Sequence, residues 1–173
     1  MPCSFDVTAE AVAGVAEVQK ALRDRAYWLA RLAKYGGDSM TLESLEVGDD
    51  GTTVVHTIQD LRGHMLPGGI GRLLPGDTQI MRTESWRSAT DGGQVHGHFT
   101  ISARGVPSSG SGTMVLKPTR ADPALGSSLR IRGTIEVRVP LVGGRIERYI
   151  TDLVAEEVPQ MHRFTAEWIA REA

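Results

Sequence analysis

The chain of 173 residues holds one cysteine, Cys3, so it can form no internal disulfide and assemble no cysteine-rich zinc site. That usage fits a reducing compartment, and the expected role of Cys3 is that of a small core residue. Basic residues number 19 against 21 acids, the formal net charge is -2, and no run of Lys or Arg stands apart from acids. The electrostatic footprint of a nucleic-acid binder is missing, so nucleic acid is not an expected partner. No apolar run is long enough to cross a bilayer, and the opening MPCSFDVTAE carries neither a basic nor an apolar leader pattern. A cytoplasmic protein without an integral membrane segment is expected. Aromatic residues are scarce, with three each of Trp, Tyr and Phe to fill an interior.

Catalytic and nucleotide-binding signatures are lacking too. No GxSxG occurs, and Ser108-Ser109-Gly110-Ser111-Gly112 is a turn composition without a nucleophile elbow. Gly69-Ile70-Gly71 begins like a dinucleotide fingerprint, but Leu74 stands where its last glycine belongs, and no Gly-Lys-Ser/Thr follows for a phosphate loop. His96 and His98 share one strand face, opposite Phe99 and Ile101, with no carboxylate nearby in sequence to complete a metal site. Glu156-Glu157 falls on a helix face expected to be solvated. No metal and no cofactor are expected.

What is present is a sequence of clear periodicities. Cys3 to Thr8 alternates, and Thr8 with Glu10 reads as a helix start, which predicts a strand running directly into a helix that ends near Leu22. Arg23-Asp24-Arg25 interrupts before Tyr27, Trp28, Leu29 and Leu32 resume a helical period, closed by Gly36-Gly37. From Met40 to Val139 the period is two, with turn signals at residues 48–51, 91–93, 107–110 and 121–123, which predicts an antiparallel meander. The apolar phase shifts between Met40 and Val47, so a β-bulge near Ser44 and a curved sheet are expected. After Pro140 a stripe of Val142, Ile146, Ile150, Leu153, Val154, Met161, Phe164 and Trp168 predicts one long amphipathic helix, kinked at Pro159.

A strand, two short helices, a meander and a long C-terminal helix follow one another in the order of the START-like, or SRPBCC, superfamily, which the whole chain resembles. GTIEVRVPLVGGRIERYI at 133–150, together with TESWRS around Trp86, is similar to an actinobacterial family of unknown function within it. The junction from Val139 to Glu147 is the most specific part. The resemblance implies one START-like domain over residues 1–173 with an α+β helix-grip fold. In that fold a seven-stranded curved antiparallel sheet wraps around the C-terminal helix, two short helices follow the first strand, and an apolar cavity lies between sheet and helix. Members of the superfamily hold lipids, sterols, polyketides or plant hormones there, and some cyclise or hydroxylate them. The narrower family carries no implied activity.

On that frame the stretch His64 to Asp77, HMLPGGIGRLLPGD, is too apolar for a plain surface loop. Met65, Leu66, Ile70 and Leu73 are candidates for a cavity mouth, against the alternative of a packed connector. Met40, Trp86, Phe99, Met114, Ile135, Ile150 and Met161 are the wall candidates. Arg82 and Glu84 share strand parity with Ile80 and Trp86, so an inward parity would bury an Arg and a Glu that must pair, and an outward one would leave both on the surface. His56 alternates with Val54 and Ile58 and is expected at the wall if that face is inward. Arg130, Arg132 and Arg138, broken by Glu136, read as an outward stripe of cross-strand ion pairs, and Gly143-Gly144 as a tight turn into the last helix. The expected function is binding of an apolar small molecule or lipid-like ligand, as carrier or sensor. The alternatives are a closed-core module that binds a protein partner or a second copy, and a cyclase or hydrolase using a buried His56 or Glu84.

Overall fold

A computed structural model describes residues 2–61, 69–89, 93–119, 121–122 and 124–173. Strand β1 (Cys3–Ala11) leads to helices α1 (Val15–Leu22) and α2 (Arg25–Gly36), then to β2 (Met40–Val47), β3 (Thr53–Asp60), β4 (Gln79–Ser88), β5 (Val95–Arg104), β6 (Val106–Pro118) and β7 (Ser127–Val137). Helix α3 (Gly143–Glu172) completes the chain, and short 3-10 turns lie at Gly37–Ser39 and Ile70–Leu73. The seven strands form one antiparallel sheet in the order β1-β7-β6-β5-β4-β3-β2, a meander whose last strand takes β1 on its free edge. Helix α3 packs against β1 and β7 and touches α1 and α2, so the sheet grips it from one side. The architecture is the α+β helix-grip fold.

The register explains how so few aromatics suffice. One inward row across the sheet runs Phe5, Gly133, Gly112, Phe99, Glu84, Val55. Gly112 and Gly133 leave the floor bare, and the Phe5 and Phe99 rings lie over it, stacked with centroids 6.0 Å apart. A Cβ on Gly133 would come 2.7 Å from Phe99 and 2.8 Å from Phe5. The next row, Val7, Ile131, Met114, Gly97, Trp86, repeats the device, with buried Trp86 and Met114 reaching over Gly97. Large side chains lying flat over glycines give the core its volume.

Local structure departs from the sequence expectations in two places. The first strand continues to Ala11, with Thr8 and Glu10 exposed opposite Arg130 and Ser128, and α1 starts after Gly14 without a side-chain cap. The alternation of Phe5, Val7 and Ala9 had not ended at Thr8, and nine paired positions with β7 outweigh one capping residue. The Ser-rich 107–110 stretch is strand: β5 turns into β6 at Gly105, whose φ of +87° suits glycine, and the alternation Val106, Ser108, Gly110 continues through it. Three other local signals hold. Asp24 Oδ1 accepts from the Ala26 N–H at 2.8 Å to start α2, Gly37 with φ +53° ends it, and the β2–β3 register shifts between Leu42 and Ser44.

Candidate functional site

The cup is unevenly filled. At the end where β7 turns into α3, a partly open pocket of about 70 Å³ remains between β4 to β7 and the first turns of the helix. Its lining includes five isoleucines, Ile80, Ile101, Ile135, Ile146 and Ile150, with Leu61, Leu74, Val106 and Val137 around them. Ile80 and Ile101 stand on the inward face of neighbouring strands, and Ile146 and Ile150, four apart, present one face of α3 to them. The polar side chains at its lining are hydroxyls, those of Thr78, Ser102, Ser108 and Ser109. Farther along the cup, a void of about 30 Å³ beside Trp86, Met161, His162 and Arg31 has room for roughly one water.

Beside the apolar pocket, where Arg82 pairs with Ile101 across β4 and β5, the inward face turns ionic. Glu84 is buried, and its Oε1 lies 2.9 Å from Arg82 Nε and 3.9 Å from Arg31 Nη2, while Trp86 Nε1 donates to Oε2 at 3.1 Å. Burial alone would raise the Glu84 pKa, but Arg82, Arg31 and the indole N–H together hold it below the usual carboxylate range. Close as it is, the Arg82 N–H is poorly aimed at Oε1, so Nε remains a buried donor without a hydrogen bond. Its guanidinium lies 5.6 Å from the centre of the Phe99 ring, and that of Arg31 lies 4.7 Å from Trp28. Glu157 of α3 faces the same two arginines. Desolvation pushes its carboxyl up, with Glu156 adding to the shift and Arg82 and Arg31 opposing it.

Several sequence-derived residues meet here. Ile135 and Ile150 line the pocket, Arg82 and Glu84 point inward and pair, and Trp86 and Met161 border the small void. Phe99 and Met114 are buried in the packed core, while half-buried Met40 packs on its edge. His56 lies on the other face of the sheet, since it pairs with Thr83 rather than Glu84 and its Nδ1 sits 2.8 Å from Thr83 Oγ1. The reason is visible in β3, whose inward residues are Thr53, Val55 and Thr57, while the more aliphatic parity of Val54 and Ile58 faces out. Met65 and Leu66 lie outside the described residues, and Ile70 and Leu73 open and close the 3-10 turn after Gly69.

Sequence reasoning missed Arg31, Glu157 and Glu147. Glu157 is half-buried against two arginines, not solvated, because its helix face meets the sheet interior. Glu147 is buried, accepts the Val137 N–H at 2.8 Å, and has Cys3 Sγ 3.6 Å from its other oxygen, tying α3 to the end of β7. His162 is also buried, with Nε2 at 3.2 Å from Ser127 Oγ and 3.3 Å from Ser127 O. Of the outward arginines, Arg130 and Arg132 reach Asp6 across the β1–β7 pair at 2.6 and 3.6 Å as expected, whereas Arg138 pairs with Glu136, two residues back along its own chain, at 3.3 Å.

A seven-stranded sheet closed on a C-terminal helix, with a residual apolar pocket between them, defines the helix-grip class of fold. Within that class the chain belongs to the family described as protein of unknown function DUF2505, which it matches over residues 6–169. An uncharacterized protein of Mycobacterium tuberculosis is 40% identical to it, with 98% of each chain covered. Among solved structures, the Zhui aromatase/cyclase of Streptomyces sp. R1128 superposes with a TM-score of 0.53 at 16% identity, covering 99% of this chain and 95% of the other. A START superfamily protein of Mycobacterium smegmatis gives 0.51 at 10% identity, covering 96% of this chain and 98% of the other. At such identities the likeness is one of fold. Among the described residues, no helix is long and apolar enough to cross a membrane.

Proposed function

We propose that the protein binds an apolar small molecule, or the apolar end of a lipid-like one, in the pocket between sheet and α3, as a cytoplasmic carrier or sensor. The observation that carries this reading is the lining itself, five isoleucines with only hydroxyl groups among their polar neighbours. Each Å² of apolar ligand surface removed from water there contributes about 25 cal/mol, and hydroxyls can orient a ligand without demanding a charge. Arg82, paired with Ile101 and holding an unsatisfied Nε, adjoins that wall and suits a carbonyl or carboxylate end. The fold shared with an aromatase/cyclase and a START superfamily protein supports a ligand-holding cup.

The pocket of about 70 Å³ is far below the roughly 300 Å³ at which drug-sized sites begin. A larger ligand therefore enters only by displacing side chains. The same volume favours a second reading, in which the core stays closed and the chain acts through its surface. Catalysis finds less support: Glu84 is held anionic with both oxygens engaged, which suits a fixed charge better than a proton carrier, and His56 faces away.

Native mass spectrometry of the isolated protein, followed by thermal-shift titration with fatty acids, sterols and aromatic polyketides, tests the proposal. Ligand binding predicts a retained or added apolar mass and a rise in Tm. No adduct and no shift across the panel would favour the closed-core reading.

A further inference from the structure

Leu141 breaks two local rules at once. It is the one non-glycine residue with positive φ among the described residues, at +71°, and its side chain is fully exposed at 102% relative accessibility. A glycine would suit that backbone and a polar residue that exposure, so neither conformation nor packing in the folded chain accounts for a leucine. Its neighbours are equally one-sided. From residue 138 to residue 148 the exposed charges are Arg138, Arg145 and Arg148. The acid in that stretch, Glu147, is buried and bonded to the Val137 N–H, and Arg138 also touches Glu136 at 3.3 Å. A chain with net charge -2 thus presents an apolar tip inside a basic collar.

We propose that this turn between β7 and α3 is a contact site for an anionic lipid surface, with Leu141 entering the headgroup region and Arg138, Arg145 and Arg148 meeting lipid phosphates. Charge complementarity selects that occupant over a second copy of the chain, because a twofold contact through the same turn would set arginines against arginines. The turn also stands at the end of the cup where Val137 and Ile146, on either side of it in sequence, line the apolar pocket. The proposal does not depend on what fills that pocket.

Cosedimentation of the full chain with vesicles tests it, using phosphatidylcholine containing phosphatidylserine against phosphatidylcholine alone. Wild type should bind the anionic vesicles selectively and lose binding as salt rises. Leu141→Gly should weaken binding about tenfold, the order expected for one partly inserted leucine. Its Tm should be equal or higher, because glycine relieves the backbone at φ +71°. Arg138→Glu with Arg145→Glu should abolish the preference for phosphatidylserine. No binding above the phosphatidylcholine background, or binding unchanged in Leu141→Gly, would overturn the proposal. So would a Leu141→Gly effect confined to capture of a protein partner.

Discussion

Glu84 and Arg82 stand two residues apart on the inner face of β4 with Oε1 and Nε at 2.9 Å, so the cup carries a charge pair where the rest of its lining is mostly apolar. Removing one member of a buried pair costs more than the pair contributes, because the partner is left desolvated. Glu84→Gln therefore leaves Arg31 and Arg82 facing only Glu157, a carboxyl that burial already disfavours as an anion. The expected loss is about 3 kcal/mol in urea denaturation. Unchanged stability would show that solvent, not Glu84, balances the two arginines.

The glycine floor makes a separate prediction. Gly133→Ala would put a methyl 2.7 Å from Phe99 and from Ser111 O and 2.8 Å from Phe5, where stacked rings and sheet backbone cannot both give way. The expected cost is about 1 to 3 kcal/mol of overpacking, against the small gain alanine brings in a strand free of such neighbours. Equilibrium denaturation with an unchanged m-value would confirm it.

His162 predicts an acid response. Burial holds its pKa below the ordinary 6.5, against the opposing hydrogen bond to the Ser127 carbonyl, so between the folded and unfolded values the unfolded chain binds more protons. Stability from this residue is complete above 6.5 and falls as pH drops through 6.5 toward the folded value. Glu84, held low, loses stability in the same direction at more acid pH. Glu157, held high, works the opposite way as pH rises above 4.5. His162→Gln keeps an amide donor near Ser127 and removes the titration, so its stability profile should be flatter than wild type just below 6.5. Parallel profiles would assign the acid response elsewhere.

The parts of the fold legible in the sequence were those written as long periodic patterns. The alternation in β5 and β7, the phase shift at Ser44, the break at Asp24 and the apolar stripe of α3 each rest on many residues and appear in the structure. Single-residue signals fared worse. Thr8 resembled a cap because capping chemistry is local, while the pairing that keeps it in β1 comes from residues 127–135. For β4 both parities carry apolar residues, Ile80 against Met81, and the inward side of Arg82 and Glu84 is decided only by Phe99 and Val55 across the sheet. His56 misled because β3 places two threonines inward and two aliphatics outward. Arg31 and Glu157 joined the site through tertiary packing alone, with no sequence spacing to announce them.

The most direct test of the ligand-holding account is to fill the pocket and measure what is lost. Ile101→Trp puts a ring into the space between Ile80, Ile135 and Ile146 and leaves the Arg82–Glu84 pair in place. Titration of wild type and variant with the same fatty acid, followed by native mass spectrometry, should show an adduct on wild type and at least a tenfold weaker one on a folded Ile101→Trp, about 1.4 kcal/mol or more. Equal binding by both, or binding by neither, would contradict the assignment of this pocket as the ligand site.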